Sequence, residues 1–314
     1  MKAIFHYAVS PGLQRRLDAL QSDWLTIEAC AEADDARLYT LLVDAEVLWH
    51  VLKPVTAEVI AAAPRLRFIQ KIGVGVNTID LDAARGRGIA VCNMPETNSQ
   101  AVAEATLMLM LAALRRAPAF HAATIAGEGW RLDPADFDRV GELAGRCVGL
   151  VGHGAVARRL VPVLTALGAR VVYTATAPKA DAAAEWRTLP DLLVESDVVS
   201  LHLPLTPQTE RLLDATAIAA MKPGAVLVNT ARGGLVDEAA LVAALRDGRL
   251  RAAGLDVFAA EPLAADNPLL ALDNVVLAPH VAWLTPETFD RSLGIAVENS
   301  RRLKDGDALL HRVI

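Results

Sequence analysis

The sequence predicts an α/β chain of two doubly wound parallel sheets, on three observations. Short apolar runs alternate with helix-forming segments along the whole length. At 314 residues the chain is too long for one ordinary core and suits two. The stretch "CVGLVGHGAVARRL", residues 147 to 160, sets strand, tight turn and helix in direct succession near its middle.

From the N-terminus, "KAIFHYAV", "WLTIEAC", "AEVLWHV", "RLRFIQKIG" and "GIAVCNM" read as strands, with helices such as "PGLQRRLDALQS" and "TAEVIAAAP" between them. That alternation builds a parallel sheet covered on both faces, here a first domain ending near Pro95. Its fourth strand runs into "KIGVGVNTID", where Gly73 and Gly75 open a turn whose N–H groups can hold an anion or simply join strand to helix. A long helix follows in "ETNSQAVAEATLMLMLAALRRA", expected to be buried on most sides because its middle is almost wholly apolar. The segment from Phe120 to Arg146 reads as an irregular connection, in which Trp130 is expected to pack against a neighbour.

In the central stretch, Gly152 and Gly154 let the backbone turn sharply and approach a ligand, and Ala157 is small enough for the new helix to pack on its strand. This G-x-G-x-x-A turn ends a buried strand, starts a helix that Gly168 stops, and is followed by the strand "ARVVYT". In that context it reads as a dinucleotide cradle, since the unpaired N–H groups of a first helical turn, Ala155 and Val156 among them, attract phosphate. Strands at "VVSLHLP", "GAVLVNTA", "AAGLDVF" and "VVLAPH" complete the second sheet, and the last helix, "PETFDRSLGIAVENSRRLKDG", is expected to return to the first domain.

Composition excludes several functions. The net charge of −6 and the absence of a long basic run argue against nucleic acid and anionic lipid as partners. No segment has the apolar length of a membrane span. "MKAIFHYAV" enters a strand at once, without the pattern of a secretory signal, so a cytoplasmic location is expected. Cys30, Cys92 and Cys147 lack metal-ligand spacing and lie in apolar runs, which fits reduced, buried thiols and no bound metal.

Three polar residues end or follow strands of the second domain: Arg232 in "NTARGG", Glu261 in "DVFAAEP" and His280 in "LAPH". On a parallel sheet these positions share an edge with the glycine turn. An arginine grips a carboxylate bidentately, and a carboxylate beside a histidine favours the imidazolium that can protonate a developing alkoxide. Taken singly each has a bland role: a surface pair for Arg232, a helix-start acid before Pro262 for Glu261, a satisfied loop histidine for His280 in a chain that has six others. Their order and placement together favour reduction of a carbonyl beside a carboxylate.

With "GVGVNTID", "VGLVGHGAVA", "LHLPLT", "MKPGAVLVNTARGGLVDE", "AAGLDVF", "EPL" and "APH" in this order, the chain resembles the NAD(P)-dependent D-isomer-specific 2-hydroxyacid dehydrogenases. The resemblance implies a Rossmann dinucleotide-binding domain over residues 99–281 and a discontinuous flavodoxin-like substrate domain of residues 1–98 plus 282–314. It further implies that Arg232 binds the substrate carboxylate together with the amides of Val74 and Gly75, and that Glu261 assists His280 as acid/base. Cofactor contacts are implied at Thr106, Gly152, Gly154, Ala155, Val156, His202, Pro204, Thr230 and Ala231, with Asp256 against the nicotinamide amide. Trp283 matches a position that lines the substrate pocket in some members, or else packs. A homodimer is also implied, as is a small 2-oxo acid substrate, with glyoxylate and hydroxypyruvate the leading candidates.

Two features depart from that pattern. Ala157 replaces the third glycine, a small residue that changes little. Ala175 stands at the strand end where an acid would bind the adenosine ribose of NAD, and Thr176 and Lys179 follow it. Without the acid a 2′-phosphate is not repelled, so NADP is favoured over NAD, with dual specificity left open if Lys179 is merely solvated. An alternative of another class is a dinucleotide-sensing, corepressor-like binding protein on the same scaffold. Neither a disordered tail or basic arm for a regulatory partner nor an extra C-terminal domain of the kind found in allosterically controlled phosphoglycerate dehydrogenases is expected, which favours the enzyme.

Overall fold

Runs rich in Val, Ile, Leu and aromatic residues, each bounded by turn residues, form the strands of two separate parallel sheets. The computed structural model describes residues 1–131, 133–180 and 182–314. It divides into one unit of Met1–Asn98 with Leu284–Ile314 and another of Ser99–Trp283. The second boundary thus falls two residues beyond the one read from sequence.

The first unit holds β1 (Lys2–His6), β2 (Thr26–Cys30), β3 (Val47–His50), β4 (Phe68–Lys71) and β5 (Ala90–Cys92), with α1 (Pro11–Ala19), α2 (Asp35–Leu42), α3 (Ala57–Ala61) and α4 (Leu81–Gly86). The strands lie parallel in the order β2-β1-β3-β4-β5, the flavodoxin-like order. Ile4, Leu48, Ile69 and Val91 pack under α2 and α3 in one apolar cluster. The alternate residues face the closing helix, Pro286–Asp305, which belongs to this unit. Trp49 donates to Ser300 at 3.3 Å, Asn299 donates to Gln70 at 2.7 Å, and Phe5 meets Phe289 edge-on. These side chains recruit the chain's last helix to its first sheet.

The second unit begins with α5 (Ser99–Leu114) and α6 (Ala117–Ile125). It continues through β6 (Cys147–Val151), α7 (Ala155–Ala166), β7 (Arg170–Thr174), β8 (Glu185–Trp186), α8 (Leu189–Glu195) and β9 (Val198–Leu201). α9 (Ala215–Ala220), β10 (Ala225–Asn229), α10 (Glu238–Arg246), β11 (Leu250–Leu255) and β12 (Val275–Leu277) complete it. All seven strands are parallel in the order β12-β11-β10-β9-β6-β7-β8, with the switch point between β6 and β9. Both faces are dry: Leu227 joins the cluster under α8, α9 and α10, while Val226 and Val228 join the one under α5 and α7.

The structure corrects two details of the sequence reading. The connection after α5 is not irregular from Phe120, because α6 occupies Ala117–Ile125 and a 3₁₀ turn covers Pro134–Arg139. Trp130 does not pack: its ring is 95 % exposed, since the Ala123–Arg131 turn closes on its own backbone hydrogen bonds and holds the ring away from either core. α5 is buried or half-buried on most sides, as its apolar middle predicts, and exposes one stripe of Gln100, Glu104, Met108 and Leu111. Among the described residues no helix is long and apolar enough to cross a membrane. The three cysteines are free and buried, and burial raises each thiol's pKa, to about 11 for Cys92.

Candidate active site

The glycine turn lies at the carboxyl end of β6, beside the switch point. Gly152 takes φ +104°, and a Cβ there would come 2.6 Å from the His202 carbonyl oxygen, so no other residue fits without moving β9's end. Gly154 is the N-cap of α7 without a side-chain capping bond, and the space over its Cα is open. The first turn, with Ala155 and Val156, therefore presents donors to a cradle with room for a phosphate. Ala157 is fully buried against the sheet.

Arg232 is carried by a loop that Asn229, the last residue of β10, shapes from within. The Asn229 amide donates to the Arg232 carbonyl at 2.9 Å, and its side-chain oxygen accepts from Ala231 N at 3.0 Å. The next residue, Gly233, brings this loop against a second one, for a Cβ there would lie 1.9 Å from the Phe258 carbonyl. That approach sets Arg232 beside Glu261, three residues after Phe258. Burial lowers the Arg232 pKa and the Glu261 charge opposes the shift.

Glu261 Oε1 accepts from Phe258 N at 2.9 Å, and Oε2 lies 2.7 Å from His280 Nδ1. Burial raises the Glu261 pKa, but the hydrogen bond and charge of His280 outweigh it and hold the carboxyl below its ordinary 4.5. The bond to a carboxylate assigns the proton to Nδ1 and leaves Nε2 as the ring atom that can exchange a proton with a ligand. His280 itself takes the left-handed conformation, φ +57°, which costs a non-glycine residue roughly 1–2 kcal/mol. Its surroundings impose that conformation. The Ala278 carbonyl accepts from His280 N, Trp283 Nε1 donates to the His280 carbonyl at 3.0 Å, and Asp256 accepts from Val281 N and Ala282 N at 2.8 and 2.9 Å.

Asp256 and Trp283 thus have work that sequence reasoning missed. Asp256 is 1 % exposed, and each of its oxygens holds an amide of the loop after His280. Burial raises its pKa against the pull of those two bonds. Trp283 is buried, its indole tied to His280. The signals for Asn229 and Gly233 were a polar residue at a strand end and a double glycine, neither of which reveals its partner.

The remaining predicted residues of this unit fall near the same sheet edge. Thr106 and Thr230 meet each other, their hydroxyls 2.7 Å apart and both buried. His202 lies 3.0 Å from Ser200 Oγ, and burial lowers its pKa to about 4, so the ring is neutral. Pro204 is exposed and Ala231 half-buried. At the end of β7, Ala175 O accepts from Trp186 Nε1 at 3.3 Å and Lys179 N donates to Tyr173 Oη at 2.6 Å. These two bonds fold the segment with Thr176 and Lys179 back on its strand. Val74 and Gly75 belong to the other unit, after β4, where Asn93 donates to the Val74 carbonyl at 2.9 Å. Among the described residues no three His, Cys, Asp or Glu side chains gather as metal ligands.

The assembled edge offers a cationic fork, a proton-bearing imidazole held by a carboxylate, and a phosphate cradle. The profile of the D-isomer specific 2-hydroxyacid dehydrogenase NAD binding domain matches residues 107–282. The chain is 45 % identical over 253 residues to the D-3-phosphoglycerate dehydrogenase of Mycobacterium tuberculosis, covering 79 % of this chain and 47 % of that protein. It therefore spans about half the length of that relative. It is 42 % identical over 282 residues to the glyoxylate reductase of Aeropyrum pernix, covering 87 % and 81 %. The crystal structure of the TT0316 protein of Thermus thermophilus superposes with a TM-score of 0.90 at 38 % identity, over all of both chains. The seven-stranded unit is a nicotinamide-dinucleotide-binding domain, and the chain belongs to the D-isomer specific 2-hydroxyacid dehydrogenase family.

Proposed function

We propose that the protein reduces a small 2-oxo acid, glyoxylate or hydroxypyruvate, to the D-2-hydroxy acid, with NADPH preferred over NADH. The observation that carries this reading is the 2.7 Å pair of His280 and Glu261 on the same sheet edge as Arg232. Arg232 grips the substrate carboxylate and draws charge toward the ketone oxygen. His280 Nε2 delivers the proton to that oxygen as it becomes an alkoxide, and Glu261 steadies the imidazolium until it does. The bound reduced dinucleotide supplies the hydride.

Cofactor preference rests on the end of β7. Ala175 offers no carboxylate against a 2′-phosphate, while Thr176 and Lys179 follow on a segment anchored by Tyr173 and Trp186. A homodimer is supported by apolar side chains exposed between residues 108 and 137, among them Met108, Ile125, Trp130 and Phe137. The three free, buried thiols suit the reducing cytoplasm.

The test is oxidation of NADPH and NADH in the presence of a dozen 2-oxo acids, a phosphorylated one included. The expected result is turnover with glyoxylate or hydroxypyruvate and a higher specificity constant for NADPH. Turnover with the phosphorylated acid alone would move the substrate to that of the phosphoglycerate dehydrogenases. Dinucleotide binding without turnover of any acid would favour the sensing role instead.

A further inference from the structure

A cavity of about 560 Å³ opens at the amino ends of β10 and β11, the edge of the seven-stranded sheet opposite the glycine turn. Arg116, Arg139, Arg246 and Arg251 line it, against Asp138 and Asp273. Its acids are partly engaged: Asp273 Oδ2 accepts from Arg116 at 2.8 Å and lies 3.9 Å from Arg139, while Arg116 also pairs with Asp136, which leaves four arginines against three carboxylates. The carboxylate nearest in charge to Arg251 is Asp197, and it too is committed, to Lys222 at 2.6 Å and to the Cys147 amide at 2.8 Å.

Arg251 is the unusual member. Among the described residues its guanidinium meets no hydrogen-bond acceptor, and its Nε is fully buried without a partner, as is the Nε of Arg116. Burial and the neighbouring Arg146 both push its pKa down, so the protein withdraws water from this charge and supplies another cation beside it. Arg251 is half-buried, but a buried guanidinium nitrogen such as its Nε is ordinarily satisfied, and an exception beside an open cavity calls for an occupant. Water can solvate it but cannot offset the excess of positive charge. The volume suits a small metabolite rather than a single ion.

We propose that this cavity is a binding site for a small dianion bearing a phosphoryl group or two carboxylates, with Arg251 as its inner contact and Arg246 and Arg139 at its mouth. Planar guanidinium forks match either oxyanion bidentately. The site lies on the opposite edge of the sheet from Arg232 and His280, so its occupant is not the substrate of the reaction proposed above.

Thermal unfolding of the full chain, with NADPH saturating so that the glycine turn is filled, tests the site. The probes are inorganic phosphate and succinate, titrated at constant ionic strength against chloride. The midpoint is expected to rise with at least one probe, as selective binding to the folded state requires, and the probe that acts identifies the oxyanion. Arg251→Met should weaken that binding about tenfold or more, while Arg246→Gln, at an exposed position, weakens it less. Without either anion Arg251→Met should unfold at the same or a higher temperature, because it removes a half-buried charge that lacks a hydrogen-bonded partner. No rise beyond chloride, equal rises in wild type and Arg251→Met, or a lower midpoint for Arg251→Met in chloride alone would each overturn the proposal. So would a change in subunit association on Arg251→Met with anion binding intact, which would make the cavity a protein contact.

Discussion

The two sheets end their strands in different ways. In the five-stranded sheet His6, His50 and Lys71 close three neighbouring strands in register, and all three are buried. Burial lowers the pKa of His6 to about 4 and that of His50 well below its ordinary value, so both rings are neutral, and neither His6 nitrogen has a hydrogen-bond partner among the described residues. In the seven-stranded sheet the polar groups at strand ends, Asn229 and Asp256, spend their bonds on the backbone of the loops that follow. Those loops carry Arg232 and His280. Polarity at a strand end becomes chemistry when it is used to aim a neighbouring side chain; in the five-stranded sheet His50 bonds to Thr78 and Lys71 to the Val51 carbonyl, and His6 is simply covered.

Replacement of a histidine in each sheet breaks or sharpens that contrast most strongly. His280→Ala should cut turnover by about 10²- to 10⁴-fold, the usual worth of a positioned proton donor, with dinucleotide affinity little changed. His6→Leu should leave turnover nearly unchanged. Steady-state kinetics and dinucleotide titration on both variants check this, and comparable losses in both would erase the distinction between the sheets. The next largest effect falls on Arg232→Lys, which keeps the charge and loses the planar fork. The specificity constant for the 2-oxo acid should fall about ten- to a hundredfold, the range for hydrogen bonds to a charged group, and dinucleotide affinity should hold.

Much of this architecture is legible in the sequence because it is local. The glycine turn, the strands around it and the strand-end positions of Arg232 and His280 follow from short patterns, and the amphipathic last helix carries the residues that return it to the first sheet. What stays hidden depends on contacts between distant segments. Gly233 reads as one half of a double glycine until the Phe258 carbonyl is seen against it. Asp256 reads as a buried acid awaiting a ligand, and only the fold brings Val281 and Ala282 to its oxygens. α6 has little contrast between its faces, and Trp130 lies in a turn closed by its own backbone, so neither the apolar content of the one nor the size of the other predicts its setting. The arginine cavity is lined from five separate stretches of chain and has no sequence signature.

Smaller effects separate the sheets further. Ala175→Asp should shift the specificity constants toward NADH, and Lys179→Ala should weaken NADPH binding while leaving NADH nearly unchanged, a difference that added salt diminishes. Equal NADPH and NADH constants in all three proteins would remove the strand-end account of cofactor choice. The smallest effect is on acid stability. His6 and His202 titrate near 4 when folded and near their ordinary 6.5 when unfolded, so between those values the unfolded chain binds more protons and stability rises with pH. Acidification from pH 6.5 toward 4 should therefore destabilise the protein, each ring contributing on the order of 1–3 kcal/mol. His6→Leu should flatten that fall in a urea-unfolding series, and an unaltered slope would mean that His6 protonates without cost in the folded state.

The pairing of His280 with Glu261 is the centre of the account, and the rate of single-turnover reduction in Glu261→Gln tests it most directly. Glu261 is held below 4.5, so its carboxylate stays charged through the assayed range and accepts from His280 Nδ1. Glu261→Gln keeps the size of the side chain and removes that charge. The rate should fall about ten- to a hundredfold, the range for a hydrogen bond to a charged group, with dinucleotide affinity little changed. An unchanged rate would contradict the pairing as the source of the proton.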